Sequence, residues 1–98
     1  MIRHGMLAKL KSGATEAQVA AWGDAVLAVK IDGLHGTSMG RDLGLRDQSL
    51  DLAAVFAFDD EAAYHWFHHD PRHERIRREL AAPLVQRMER CQYRVMEA

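Results

Sequence analysis

The stretch "LDLAAVFAF" (residues 50–58) gives the clearest secondary-structure signal in the chain. Successive side chains alternate between two faces, as they do in a β-strand. One face is entirely apolar and consists of Leu50, Leu52, Ala54, Phe56 and Phe58. The opposite face consists of Asp51, Ala53, Val55 and Ala57, so one polar side chain interrupts it. The stretch therefore predicts a strand that is buried on both sides.

Three further elements are predicted before this strand. Apolar and polar side chains alternate over residues 2–11, which predicts a first strand. The segment "TEAQ" forms a capping box, in which Thr15 and Gln18 satisfy each other's backbone amides. The helix that it starts is predicted to run to about Lys30. Residues 34–41 predict a weaker strand, because two glycines dilute the pattern.

A broken helix is predicted after the central strand. Asp59 is placed to cap a short helix over residues 60–69. Asp70 is placed to cap a second helix, with Pro71 at its first position, where the missing amide hydrogen costs nothing.

The second of these helices is predicted to be long. Its stripe at helical spacing consists of His73, Ile76, Leu80, Leu84 and Met88. This spacing predicts a helix that runs to about Arg90 and bends at Pro83. A last strand is predicted over residues 91–96.

The predicted order of elements is strand, helix, strand, strand, broken helix, strand. This is the order of the ferredoxin-like split βαβ fold of the α+β class, in which helices cover one face of a four-stranded antiparallel sheet. The length of 98 residues fits a single domain over residues 1–98. Because the strand over 50–58 is apolar on its second face, we expect two copies to bury that face in a homodimer.

The composition narrows the classes of partner. Lysine and arginine number 13 against 14 aspartates and glutamates, and this balance disfavours a general nucleic-acid binder. No apolar run has the length of a membrane span, and the first residues contain no apolar signal segment. Cys91 is the only cysteine, so no intrachain disulfide forms, and a reducing, cytoplasmic location is expected.

The histidines of the short helix raise the question of a metal site. His65 and His69 are four residues apart, which is a spacing of zinc ligands on a helix. At about 100° per residue, however, these two and His68 lie away from the inward stripe. That predicted stripe consists of Ala63, Trp66 and Phe67. A solvated face is therefore favoured, and neither a metal nor another cofactor is expected.

Two other histidines are predicted to face inward. His73 begins the stripe of the second helix, and His4 lies on the apolar face of the first strand. The helix N-terminus disfavours a charged imidazolium at His73, whereas the carboxylate of Asp70 favours it. Each ring is either a core histidine with backbone partners or a member of a polar pocket, and two such rings in a small core leave both interpretations open. Tyr64 fits either the core or the rim of that pocket.

Four segments together resemble the stress-responsive dimeric α/β-barrel (Dabb) family. They are "MIRHGMLAKLK" at 1–11, "GRDLGLR" at 40–46, "DLAAVFAFDDEAAY" at 51–64 and "DPRH" at 70–73. The resemblance covers nearly the whole chain. It implies a ferredoxin-like chain whose sheet pairs with that of a second copy to form a dimeric α+β barrel. It also implies a pocket between the sheet and the helices of each subunit.

The resemblance also implies roles for individual residues. One plant member of the family is a polyketide cyclase that closes a linear substrate by aldol chemistry without a cofactor. Its catalytic histidine corresponds to His73, and a second pocket histidine corresponds to His4. Phe67 stands where that enzyme has a tyrosine, and Asp70 replaces the first histidine of the family's frequent "HPxH". The pocket is expected to contain Phe56, Tyr64, Trp66, Phe67 and Asp70.

Three functional hypotheses follow. In the first, which is preferred, the protein is a cofactor-independent acid–base enzyme of the cyclase or isomerase (lyase-like) type. His73 then removes a proton next to a carbonyl, and His4 positions or polarises a small apolar or aromatic substrate. In the second, the protein is a stress-responsive homodimer that binds a ligand without turnover. In the third, it is a structural homodimer whose pocket is vestigial. The lack of a clear oxyanion donor favours the second, and fold analogy does not supply a function.

Overall fold

A four-stranded antiparallel sheet with helices packed on one face forms the fold in the computed structural model, which describes residues 1–97. The elements are β1 (Ile2–Leu10), α1 (Glu16–Leu27), β2 (Leu34–Arg41), β3 (Leu52–Phe58), α2 (Glu61–His69), α3 (Pro71–Ile76), a π-helical segment (Arg77–Ala81) and β4 (Val85–Arg94). The strand order is β2-β3-β1-β4, with β1 and β3 in the centre. The predicted ferredoxin-like α+β fold is confirmed.

The core lies between the helices and the apolar faces of the two central strands. β1 and β3 pair antiparallel, with His4 opposite Phe56. Their predicted inner faces are confirmed, since the buried residues there are Ile2, His4, Met6, Ala8, Leu10, Leu52, Ala54, Phe56 and Phe58. The helical part of the core consists mainly of Val19, Trp22, Val26, Ala63, Phe67 and Ala81.

The outer face of the sheet is uncovered within one chain, and the predicted burial of both faces of β3 depends on a second copy. Ala53, Val55 and Ala57 are only half-buried, so β3 is not buried on both sides within one chain. The physical reason is that all the helices cover the opposite face. Cys91 on β4 is exposed.

The start of α1 matches the predicted capping box. The backbone amide of Gln18 donates to Oγ1 of Thr15 at 3.2 Å, and the amide of Thr15 donates to Oε1 of Gln18 at 2.9 Å. Two of the helix's otherwise unpaired donors are thereby satisfied.

None of the helices over residues 1–97 is long and apolar enough to cross a membrane.

The N-cap of α2 is Asp60 and not Asp59. The Oδ1 atom of Asp60 accepts a hydrogen bond from the amide of Ala63 at 2.9 Å. Asp59 instead pairs with Nε2 of His35 on β2. The predicted cap was wrong because two adjacent aspartates both suit the position, and the pairing across to β2 occupies the first of them.

The predicted long helix was also wrong. Helical structure ends with the π-helical segment, where the amide of Ala82 donates to the carbonyl of Arg77 at 2.8 Å. The chain turns at Pro83, and β4 then pairs with β1 from Leu10 back to Ile2. Met88 therefore lies on a strand opposite Ala8 and continues no helical stripe.

Asp70 caps α3 as predicted, and its removal should cost stability. Its Oδ1 accepts from the amide of Arg72 at 2.8 Å. Asp70→Ala should lower the free energy of unfolding by about 1 kcal/mol, the usual value for a lost N-cap. The measurement is chemical denaturation monitored by circular dichroism.

Asp70→Asn is the matched control for this cap. Asparagine caps a helix as well as aspartate does but carries no charge, so it should retain most of the stability. Equal losses in the two variants would assign the effect to the ion pair of Asp70 with the Arg72 guanidinium, at 3.0 Å, and not to the cap.

Candidate active site

A cavity of about 310 Å³ opens between the sheet and the helices. Its aromatic and imidazole lining consists of His4, Phe56, Tyr64, Phe67, His68 and His73, together with Trp22. These residues come from β1, α1, β3, α2 and α3, so helices and central strands together form the site. The volume lies at the lower end of the range for small-molecule sites.

His4 is held in one orientation by its neighbours. It is 8% exposed, and its ring stacks on Phe56 with centroids 5.4 Å apart. The side-chain amide of Gln92, directly opposite on β4, donates to its Nδ1 at 2.9 Å. The neutral ring therefore has its proton on Nε2, which makes Nε2 a hydrogen-bond donor.

Burial keeps His4 uncharged at neutral pH. Removal from water, followed by the positive charges of Arg90 and His68, lowers the pKa of His4 from 6.5 to about 4.

His73 is buried but lacks a partner for one nitrogen. It is 9% exposed, and its ring lies against Phe67 with centroids 3.9 Å apart. Its Nδ1 is the one buried side-chain nitrogen or oxygen within residues 1–97 that makes no hydrogen bond. Such a group costs about 1–3 kcal/mol of stability, and functional sites are where such costs are found. His73 lines the cavity, while its Nδ1 atom is enclosed by protein.

The same forces keep His73 neutral. Burial is the largest cause, and Arg77, His4 and His68 add to it, so that the pKa of His73 falls from 6.5 to about 4. The carboxylate of Asp70 acts in the opposite direction but is outweighed. Two uncharged imidazoles from distant parts of the chain thus line one cavity.

A third histidine at the cavity is fixed by an arginine. The guanidinium of Arg77 donates to Nδ1 of His68 and to the His68 carbonyl oxygen, both at 3.1 Å. Burial and then the charge of Arg77 lower the pKa of His68. The arrangement also ties the π-helical segment to the end of α2.

The model of the Dabb family, described as the stress responsive A/B barrel domain, matches residues 2–95. The chain belongs to the Dabb family. A comparison with curated proteins finds no match for this Dabb chain.

Solved structures with the same fold include proteins with and without a known activity. A dimeric ferredoxin-like protein of unknown function from Thermobifida fusca is 27% identical, with a TM-score of 0.88, and the match covers 96% of this chain and 90% of that one. A Dabb family protein with a ferredoxin-like fold from Mesorhizobium loti is 21% identical, with a TM-score of 0.78 and coverage of 98% and 97%. A hydroxynitrile lyase from Passiflora edulis is 19% identical, with a TM-score of 0.85 and coverage of 99% and 94%. The last two likenesses show the fold alone.

The structure places three of the predicted pocket residues at the cavity of this Dabb chain and two elsewhere. Phe56, Tyr64 and Phe67 line it beside both predicted histidines. Trp66 is 61% exposed and points away from the cavity. Asp70 caps α3 and lies outside the lining.

The error at Trp66 has a simple geometric cause. Four side chains share the inward face of α2, namely Ala63, Tyr64, Phe67 and His68. Within this set, the spacings between residues are one, three, four or five positions. At about 100° of rotation per residue, these spacings keep all four side chains on one side of the helix. Trp66 lies on the other side with His65 and His69, and its hydrophobicity misled the prediction.

His68 was wrongly placed on the solvated face, and two arginines of the cavity were missed. The spacing of four between Tyr64 and His68 is the signal that could have located His68. Arg77 and Arg90 lie in charged stretches where no local pattern marks them. Within residues 1–97, no group of three histidine, cysteine or acidic side chains is arranged to hold a metal ion.

Proposed function

We propose that this Dabb protein is a cofactor-independent acid–base enzyme of the cyclase or isomerase type. It acts on a small apolar or aromatic compound that contains a carbonyl group. The observation behind this proposal is the pair of uncharged histidines, His4 and His73, on one cavity with a largely aromatic lining. A general base must be unprotonated before it reacts, and burial ensures this for His73 at neutral pH.

His73 is the proposed general base. In the first step, Nε2 of His73 takes the proton from the carbon next to the substrate carbonyl. The electron pair of that C–H bond moves into a C=C bond, and the carbonyl oxygen becomes an enolate oxygen. In an isomerase, His73 then returns the proton to a carbon of the enolate. In a cyclase, the enolate carbon attacks a second carbonyl to close a ring, and His73 gives its proton to the alkoxide oxygen formed there; either step restores the neutral ring.

His4 is the proposed donor to the enolate oxygen. Phe67 offers no hydroxyl group at the site, so the negative charge needs another hydrogen-bond donor. The hydrogen bond from the Gln92 amide to Nδ1 leaves the proton of the neutral His4 ring on Nε2, and a fixed N–H in a largely apolar cavity is an effective partner for such an oxyanion. The hydroxynitrile lyase with the same fold supports the idea that this scaffold can host lyase chemistry.

Solvent deuterium exchange tests this proposal without knowledge of the physiological substrate. Aryl ketones such as propiophenone and benzoylpropionate are incubated with the protein in D₂O, and loss of the proton signal next to the carbonyl is followed by NMR. The proposal expects protein-dependent exchange. If the ketones bind but do not exchange their protons for deuterium, the result would contradict the proposed enzyme activity and favour the alternative below.

The alternative is a ligand-binding homodimer without turnover. Phe67 in place of a hydroxyl-bearing residue favours it, and so does the low pKa of His73, since a ring with a pKa of about 4 is a weak base. Under this alternative, NMR titration detects ketone binding at the cavity, but no deuterium enters the ligand.

The homodimer is part of both proposals. The outer face of the sheet presents small or apolar side chains, among them Gly5, Leu7, Ser38, Ala53, Val55 and Cys91. Leu7 is 47% exposed in the single chain, and an exposed apolar face of this kind suits a second copy of the same sheet. Neighbours from Thermobifida fusca and Jannaschia are described as dimeric. We place this dimer in a reducing, cytoplasmic compartment, which the single free cysteine supports.

Val55→Arg should dissociate the dimer. The substitution puts a charge at the centre of the outer face, where the partner would leave it without solvent or a counter-charge. Light scattering should report a dimer for the unmodified protein and a monomer for the variant. Ala62→Arg, at an exposed position of α2, is the control and should stay dimeric. A monomeric unmodified protein, or a Val55→Arg variant that remains dimeric, would contradict the sheet-to-sheet arrangement.

A further inference from the structure

We propose that the ligand of this cavity joins an apolar body to an anionic group, in the simplest case a carboxylate, and that the guanidinium groups of Arg77 and Arg90 bind this group. The inference rests on the proposed function, because it names the class of molecule that the same site takes.

The charged residues of the cavity are of one sign. Arg77 and Arg90 line it, and no aspartate or glutamate does. Neither arginine forms an ion pair with a carboxylate in residues 1–97, whereas five other arginines do: Arg41, Arg72, Arg78, Arg87 and Arg94. Two uncompensated positive charges beside an apolar cavity favour a negatively charged ligand.

Arg77 is held in place before any ligand arrives. It is half-buried, and its two contacts with His68 use two of the five N–H donors of the guanidinium. The remaining donors are left for a ligand, and a planar guanidinium suits the two oxygens of a carboxylate. Because the side chain is already ordered, binding loses little conformational freedom there.

Arg90 reaches the same cavity from the sheet. It lies on β4 directly opposite Met6, on the face that carries the cavity. Unlike His4 and His73, it is exposed, so it lies on the solvent side of the site. β4 is an edge strand, which places Arg90 at the rim of the sheet. An anionic group at the entrance between the arginines would leave the apolar body of the ligand against Phe56 and Phe67.

An anionic ligand would also change the basicity of the two histidines. The charge of Arg90 contributes to the low pKa of His4, and that of Arg77 to the low pKa of His73. A carboxylate between the arginines offsets both charges, so the pKa of each ring should rise when it binds. A base whose pKa moves towards the working pH is a better catalyst, which links this charge recognition to the proposed chemistry.

A matched pair of ligands tests the inference directly. Benzoylpropionate and its uncharged amide, benzoylpropionamide, share one aryl ketone body and differ in the terminal group. We expect isothermal titration calorimetry to show at least about tenfold tighter binding of the carboxylate, the effect of one charge-assisted hydrogen bond. Arg90→Gln should remove most of this preference, and so should Arg77→Gln. Arg78→Gln is the control, since Arg78 is exposed beside Arg77 and does not line the cavity.

Histidine ring signals in NMR provide the second readout. The carboxylate should raise the pKa of His4 and His73, whereas the amide should not. Equal affinities of the two ligands would overturn the inference and leave the apolar cavity intact. If both arginine variants still bind the carboxylate more tightly than the amide, Arg77 and Arg90 are not the residues that bind the anionic group. Binding of neither ligand would count against the proposed function itself and remove the inference with it.

Discussion

His73→Ala should lower the rate of deuterium exchange next to the ketone carbonyl by at least about 100-fold, the lower end of the usual effect of a general base. The reason is that His73 lines the cavity and burial keeps its ring uncharged, so that it is available there as a base. Exchange rates are measured by NMR at equal protein concentration, with calorimetry to confirm that the ketone still binds.

Stability measurements separate this catalytic role from a structural one. The variant should lose about 1 kcal/mol or less, because removal of the unpartnered Nδ1 offsets part of the lost contact with Phe67. His65→Ala is the control, since His65 is exposed on the outer side of α2. If the His73→Ala variant catalyses deuterium exchange at the wild-type rate, or if it unfolds, the result would contradict the catalytic role and identify His73 as a core residue.

Acidification from about pH 6.5 to about pH 4 should lower the free energy of unfolding. In the unfolded chain both rings bind protons near pH 6.5, whereas in the folded protein the pKa of His4 and His73 is about 4. Over this interval the unfolded state binds more protons, so stability rises with pH and is fully present above about pH 6.5. A shift of this size corresponds to roughly 3 kcal/mol per ring as an upper figure, and the two rings influence each other.

Denaturant midpoints across a pH series measure this effect, and His73→Gln should reduce the dependence of the unfolding free energy on pH.

Asp70 contributes to stability over a different pH range. The side-chain hydrogen bond from Arg72 lowers its pKa to about 2, so its contribution is lost only as the pH falls below about 4. Stability that stays constant between about pH 6.5 and about pH 4 would contradict buried, neutral histidines.

The parts of the fold that local patterns determine were predictable from the sequence. The alternation over residues 50–58 and the pairing of Thr15 with Gln18 each depend on a few neighbouring residues. The structure has the alternating strand over Leu52–Phe58 and the capping box as predicted. The segment after Arg77 was not predictable in this way. Leu80, Leu84 and Met88 have helical spacing, but pairing with β1 places Met88 on a strand, and that pairing joins residues far apart in the sequence.

The residues of the candidate site likewise divide into those that local sequence patterns predict and those that depend on long-range structure. His4 and His73 were located because each begins or continues an apolar stripe. Arg77 and Arg90 were not, since the choice among several nearby arginines depends on the π-helical segment and on the register of β4. One wider turn rotates every later side chain relative to an ordinary helix, and a shift of one residue in a strand moves a side chain to the other face.

The proposed chemistry depends on the chemical state of the two histidine rings, and ¹⁵N NMR of the imidazole nitrogens measures that state most directly. We predict that His4 and His73 are both uncharged at neutral pH, that both titrate near pH 4, and that His4 has its proton on Nε2 because Gln92 donates to Nδ1. Titration of either ring near 6.5, or a proton on Nδ1 of His4, would contradict it.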